Sequence, residues 1–223
     1  MPRRLFLTSS GLGPTVSYAF LTLFGEDPTG QLAAFIPTAA DPERSQWFVG
    51  MARRELQGLG FEVYDVDLKA HTPESLWKAL APAKLIYVNG GNTFYLLHWA
   101  RKSGLLDMLP ALLDEGKMYV GTSAGSILVG PSIEPAAWEP VSDLNTVQVA
   151  DLTGARLVHF APFVHYNAQH HPVIHAAWQE FTHPVIVLAD GQAVLVLDGK
   201  HELVGAGPEQ VWERPVDDQG DFS

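Results

Sequence analysis

The run Tyr119-Val120-Gly121-Thr122-Ser123-Ala124-Gly125-Ser126 carries a serine in the spacing G-x-S-x-G. Tyr119 and Val120 are apolar and read as the end of a buried strand. Gly121, Ala124 and Gly125 are small, as a serine pressed close to the backbone requires. The pattern builds a sharp strand-to-helix turn, which lifts a serine Oγ above the end of a parallel sheet. The helix expected over 124–129 aims its free N–H groups back at Ser123, where they can hold a developing oxyanion. The same residues also fit a plain glycine-rich turn around a buried serine, so the flanking chain has to decide.

Upstream, apolar strands are expected over 4–9, 32–38, 61–66, 84–88 and 118–121. Helical patterns alternate with them. Asp41-Pro42-Glu43 reads as the cap of a helix carrying Trp47, Phe48, Met51 and Leu56, and Thr72-Pro73-Glu74 opens a second. One long amphipathic helix is expected from Phe94 through Leu112. Strand–helix alternation predicts an α/β fold with a doubly wound, mostly parallel sheet. In such sheets chemistry collects at the carboxyl ends of the strands. Two motifs fall there: the elbow at 121–125 and Asn89-Gly90-Gly91-Asn92-Thr93.

Beyond residue 130 the rhythm changes. Residues 131–140 are proline-rich, and 157–164 read as a strand followed at once by His165. A helix is expected over 172–181. Short strands over 185–189, 193–197, 202–204 and 210–213, joined by glycine turns, predict a C-terminal antiparallel meander. The end, 217–223, reads as a solvated acidic tail.

With 223 residues, 47% hydrophobic and 17% charged, one domain over 1–223 with a sizeable core is expected. The net charge of −11 argues against nucleic acid and anionic membranes as partners. Cysteine is absent, which excludes disulfides, thiolate metal sites and a cysteine nucleophile. The first apolar run is too short for a signal segment and no run approaches a membrane span, so a cytoplasmic protein is the default. Gly11-Leu12-Gly13-Pro14 lacks the third glycine of a dinucleotide loop and any P-loop lysine, so no cofactor is expected. Nothing separates a monomer from a homodimer.

A serine nucleophile needs a base in hydrogen-bond reach, and the base needs an orienting acid. His165 ends an apolar strand, which would put it on the sheet's carboxyl edge beside the elbow. The paired glycines Gly90 and Gly91 allow backbone N–H groups to face the same crevice and, with the amide of Ala124, to complete an oxyanion hole. Asn92 and Thr93 also suit the cap of the next helix.

Tyr87-Val88-Asn89-Gly90-Gly91-Asn92-Thr93-Phe94, together with Gly121-Thr122-Ser123-Ala124-Gly125, resembles the peptidase E family of serine peptidases. These are aspartyl dipeptidases related to cyanophycinase. The resemblance runs from the first strand to the C-terminal meander. It implies a fold like the class I glutamine amidotransferases, flavodoxin-like, with serine where those enzymes carry cysteine. It implies Ser123 as nucleophile, the amides of Gly90, Gly91 and Ala124 as oxyanion donors, and His165 as base. Asn92, Thr122 and His170 are the expected substrate contacts. The family acid lies a short way beyond the nucleophile, which puts Glu139 first. A second family carboxylate after a late strand matches Asp190-Gly191, so Asp190 is second, and Asp143 is third. A small peptide is the implied substrate, cleaved through an acyl-enzyme. The aspartate-selective members carry a basic segment after the histidine, whereas this chain has Asn167-Ala168-Gln169-His170-His171-Pro172. A substrate carboxylate buried without a guanidinium partner is costly. Strict selectivity for N-terminal aspartate is therefore not expected, unless a histidine takes the arginine's place.

Two other readings compete. His165, His170, His171 and His175 could ligate zinc in a metal hydrolase, although Pro172 interrupts the run and no H-E-x-x-H is present. A non-catalytic small-molecule binding protein of the same fold could keep the elbow after losing its acid.

Overall fold

The computed structural model describes residues 1–139, 142–207 and 210–212. The acidic tail expected at 217–223, and the final residues of the loop and strand expected at 131–140 and 210–213, lie outside the described residues.

Seven strands form the main sheet. They are β1 (Arg4–Thr8), β2 (Leu32–Ile36), β3 (Glu62–Asp65), β4 (Leu85–Val88), β5 (Met118–Thr122), β8 (Gln192–Leu197) and β9 (Lys200–Gly205). The order is β3-β2-β4-β5-β1-β8-β9, with the first five parallel and the last two added antiparallel. Alternation along each strand sorts its side chains onto two faces. Phe6, Phe35, Tyr87 and Val120 point to one face, where they meet Phe20 and Phe24 of α1 (Ser17–Phe24) and Leu56 of α2 (Trp47–Gly58). Leu5, Ile36, Ile86 and Tyr119 point to the other. There they pack on α3 (Pro73–Leu80), α4 (Thr93–Lys102), α5 (Leu105–Asp114) and α6 (Ala124–Leu128). Both faces are covered, so central strands such as β4 and β5 are buried along their whole length.

A second sheet holds β6 (Ala161–Phe163), β7 (Val185–Val187) and β10 (Gln210–Trp212), in the order β10-β7-β6. β6 and β7 are parallel. The helix α7 (His171–Glu180) connects them and buries Ile174 against Phe181 and Val185. The expected meander is therefore only half a meander. β8 and β9 form the antiparallel hairpin, while β7 pairs with β6 outside the main sheet and β10 adds antiparallel to β7. The small sheet has a core of its own, in which Trp138 stacks on Phe163 and meets Phe181 edge-on.

Three local expectations change. The long helix breaks into α4 and α5 at Gly104, which adopts the left-handed conformation with φ 79°. Asp41 does not cap α2, which starts at Trp47. Asp41 pairs with Lys69 at 2.5 Å instead, while the Ala40 carbonyl accepts from Glu43 N–H and from Gln46 Nε2. The strand expected over 157–164 narrows to β6, because the N–H groups of Leu157 and Val158 both turn to the carbonyl of Val129.

Candidate active site

β5 delivers Ser123 from the middle of the sheet. Its φ of 52° and ψ of −113° make the sharp bend, and α6 begins at the next residue. The two glycines are required by space. A Cβ on Gly121 would lie 2.5 Å from the Gly125 carbonyl, and one on Gly125 would lie 2.2 Å from the Val88 oxygen. Beneath the bend, Ser126 Oγ lies 2.8 Å from the carbonyls of Thr8 and Gly121, and Tyr119 O–H donates to Gly125 O at 2.7 Å. Buried hydrogen bonds thus fix the elbow to β1 and β5.

The parallel pair β6 and β7 ends on the same edge. His165 follows β6, and Asp190 follows β7 in the turn that leads into β8. His165 Nε2 lies 2.9 Å from Ser123 Oγ, and His165 Nδ1 lies 2.8 Å from Asp190 Oδ1. A proton on Nδ1 directed at the carboxylate leaves the Nε2 lone pair to accept from the serine hydroxyl. The hydrogen bond from His165 holds the Asp190 carboxyl below its ordinary pKa, against the opposing effect of burial. Ser9 closes the arrangement: its Oγ accepts from His165 N–H at 2.9 Å and donates to Asp190 Oδ1 at 2.9 Å. Sequence reasoning missed Ser9. Its signal was the hydroxyl run Thr8-Ser9-Ser10 at the carboxyl end of a central strand.

Gly90 lies against the elbow: a Cβ there would sit 3.0 Å from Ser123 Cβ. Gly91 has φ 135° and packs on Ala39, where an added Cβ would lie 2.2 Å from the carbonyl oxygen. Among the described residues, the N–H groups of Gly90, Gly91 and Ala124 donate to no protein acceptor, whereas the neighbouring N–H groups of Asn89 and Asn92 donate to Ile36 O and Ala39 O.

The remaining candidates divide. Glu139, placed first as the acid, is exposed, accepts from Ser142 Oγ at 2.9 Å and lines neither cavity at Ser123. The carboxylate on His165 is that of Asp190. Asp143, placed third, lines both cavities at Ser123 and accepts from Thr93 N–H at 2.7 Å; burial raises its pKa. Asn92 is occupied as the N-cap of α4, accepting from Tyr95 N–H at 2.9 Å. Thr122 lines the larger cavity, and its hydroxyl is 2.7 Å from that of buried Tyr87. His170 lies off the cavity, within 3.5 Å of Asn167 Nδ2. The rings of His171 and His175 stack 5.8 Å apart beside Trp212, and His165 faces Ser123 rather than them. Among the described residues no group of three or more potential ligands is arranged to hold a metal ion. No helix among them is long and apolar enough to cross a membrane.

A hydroxyl, an imidazole and a carboxylate in sequence, above the carboxyl edge of a parallel sheet, define an α/β protein built for hydrolytic chemistry. The profile of peptidase family S51 matches residues 5–204, and the chain belongs to that family of peptidases. It is 31% identical over 199 residues to an uncharacterised peptidase of Pasteurella multocida, covering 87% of this chain and 93% of that one. It is 30% identical over 187 residues to peptidase E of Salmonella typhi, covering 81% and 78%. A crystal structure from Listeria monocytogenes EGD-e assigned to peptidase E superposes with a TM-score of 0.80 at 25% identity, over 93% of this chain and 100% of that one.

Proposed function

We propose that this peptidase is of serine type and hydrolyses dipeptides or short peptides through an acyl-enzyme. Ser123 is the nucleophile, His165 the base and Asp190 the orienting acid. The observation that carries this reading is the relay of 2.9 Å and 2.8 Å from Ser123 Oγ through the imidazole to Asp190.

In the first half-reaction His165 Nε2 takes the Ser123 proton as Oγ attacks the scissile carbonyl carbon. The carbonyl oxygen becomes an oxyanion, and in this reading the N–H groups of Ala124, Gly90 and Gly91, which donate to no protein acceptor among the described residues, hold it. Each such donor is worth about 3 kcal/mol of barrier. The C–N bond breaks as the imidazolium returns its proton to the leaving amine. Water then attacks the ester with His165 again as base, releasing the acid and restoring Ser123. Asp190 holds the productive tautomer and offsets the charge that forms on the ring.

The binding-protein reading depended on a missing acid, and Asp190 supplies one. A dipeptide panel, run on the wild type and on Ser123→Ala with and without chelator, is the test. Turnover that requires Ser123 and ignores the chelator is expected. Turnover that survives Ser123→Ala, or that the chelator abolishes, would end the proposal.

A further inference from the structure

We propose that the cavity beside Ser123 selects peptides with a free α-amino group and an apolar N-terminal side chain and disfavours N-terminal aspartate. Glu43 and Asp143 receive the ammonium, and Trp47, Phe48 and Met51 receive the side chain. The proposal rests on Ser123 as the nucleophile.

The cavity holds about 430 Å³, and its lining includes four carboxylates, Glu43, Glu55, Asp143 and Asp190, but no lysine or arginine. Two of these are committed. Asp190 faces His165, and Glu55 Oε2 accepts from Leu12 N–H at 3.0 Å. Glu43 makes no side-chain hydrogen bond among the described residues, and Asp143 accepts from Thr93 N–H through Oδ2; these two carboxylates also repel each other. Burial pushes both carboxyls up, and the charge of Asp143 pushes Glu43 further. Two such groups facing one space are relieved by a cation, and a third carboxylate on the ligand would add to the repulsion. Asp143 also lines the smaller depression on the other flank of Ser123. An ammonium held by Asp143 therefore keeps the first carbonyl beside Oγ, since only the Cα separates the two groups.

The apolar part of the lining gives an independent indication. The N-terminal end of α2 presents Trp47, Phe48 and Met51 to the cavity, and Trp47 and Met51 remain 66% and 42% exposed. Large apolar side chains gathered at a cavity wall and left this exposed suit an apolar ligand group. The indole and the Phe48 ring meet edge-on at 6.3 Å.

The test is calorimetric titration of the Ser123→Ala protein with Leu-Leu, N-acetyl-Leu-Leu and Asp-Leu. Leu-Leu should bind at least about tenfold more tightly than either of the others. Glu43→Gln and Asp143→Asn should each weaken Leu-Leu binding by about tenfold and leave the acetylated peptide unchanged. Glu43 makes no side-chain hydrogen bond among the described residues, so its variant folds independently of this question. Asp-Leu bound as tightly as Leu-Leu, or acetylation without effect, overturns the proposal. Turnover by the wild type is read separately. Selective binding without cleavage refutes the serine-peptidase reading and leaves the selectivity standing; cleavage without selectivity does the reverse.

Discussion

Replacing Asp190 by asparagine tests the relay most directly. The substitution keeps the size of the side chain and an oxygen for Ser9 and His165, but it removes the charge. Asp190 Oδ1 is 2.8 Å from His165 Nδ1, and the two side chains are 65% and 44% exposed. Charges about 4 Å apart interact by about 1 kcal/mol in water and about 4 kcal/mol at the effective dielectric of a protein surface. This half-exposed pair lies between those limits. At about 1.4 kcal/mol per tenfold in rate, the lost stabilisation of the imidazolium lowers kcat by between about fivefold and about a thousandfold. Loss of the productive tautomer drives it toward the larger value. KM should change little, because the imidazolium forms only on the way to the transition state. Glu139→Gln is the matched control: that carboxylate accepts from Ser142 Oγ and lines neither cavity at Ser123, so kcat should stay within about twofold of wild type. Steady-state kinetics on one good dipeptide, with melting curves for both variants, is the assay. Wild-type kcat in Asp190→Asn, or an equal loss in Glu139→Gln, would refute the assignment of the acid.

Other consequences can be measured alongside. Ser9→Ala removes a bridge to both His165 and Asp190 and should lower kcat by about tenfold, with a melting temperature close to wild type. Gly90→Ala puts a methyl 3.0 Å from Ser123 Cβ and should cost more activity than stability, whereas Gly125→Ala forces a methyl to 2.2 Å from Val88 O. The latter should destabilise by about 3 kcal/mol, a fall of roughly 6–12 °C in Tm by thermal unfolding. Asp190 is held below its ordinary pKa, so its carboxylate stabilises the fold above the unfolded-state pKa, and that contribution is lost as pH falls through the folded one. The Tm gap between wild type and Asp190→Asn should close on acidification. Asp143 is raised, so its contribution is present below the unfolded-state pKa and fades as pH rises through the folded one. Asp143→Asn should therefore gain on wild type as pH rises through that range.

The features legible in the sequence were those determined by near neighbours. Gly121 and Gly125 declare the elbow because the bend collides with itself if either carries a Cβ. The strand–helix alternation through residue 122 is likewise local. The acid was not legible, because sequence distance is a poor guide to it. Counting onward from Ser123 leads toward a stretch whose Val147, Val149, Leu152 and Ala155 pack on the helical face of the core, well before the chain returns at β6. Asp190 reaches His165 because β6 and β7 run side by side in the same direction, a pairing made by α7 and hidden from any window of sequence. The same pairing removed β7 from the expected meander. The break at Gly104 was hidden because the apolar period continues across it, from Leu97 to Leu112.

The two sheets divide the chemistry between them. The imidazole and its carboxylate ride on the small sheet, the hydroxyl rides on the large one, and the boundary passes between Nε2 and Oγ. A slip of half an ångström along that boundary would leave the His165–Asp190 hydrogen bond whole while uncoupling the nucleophile. Warming or mild denaturant should therefore silence turnover before the ring loses its acid. In that intermediate regime Ser9, bonded to both His165 and Asp190, is a tether across the joint.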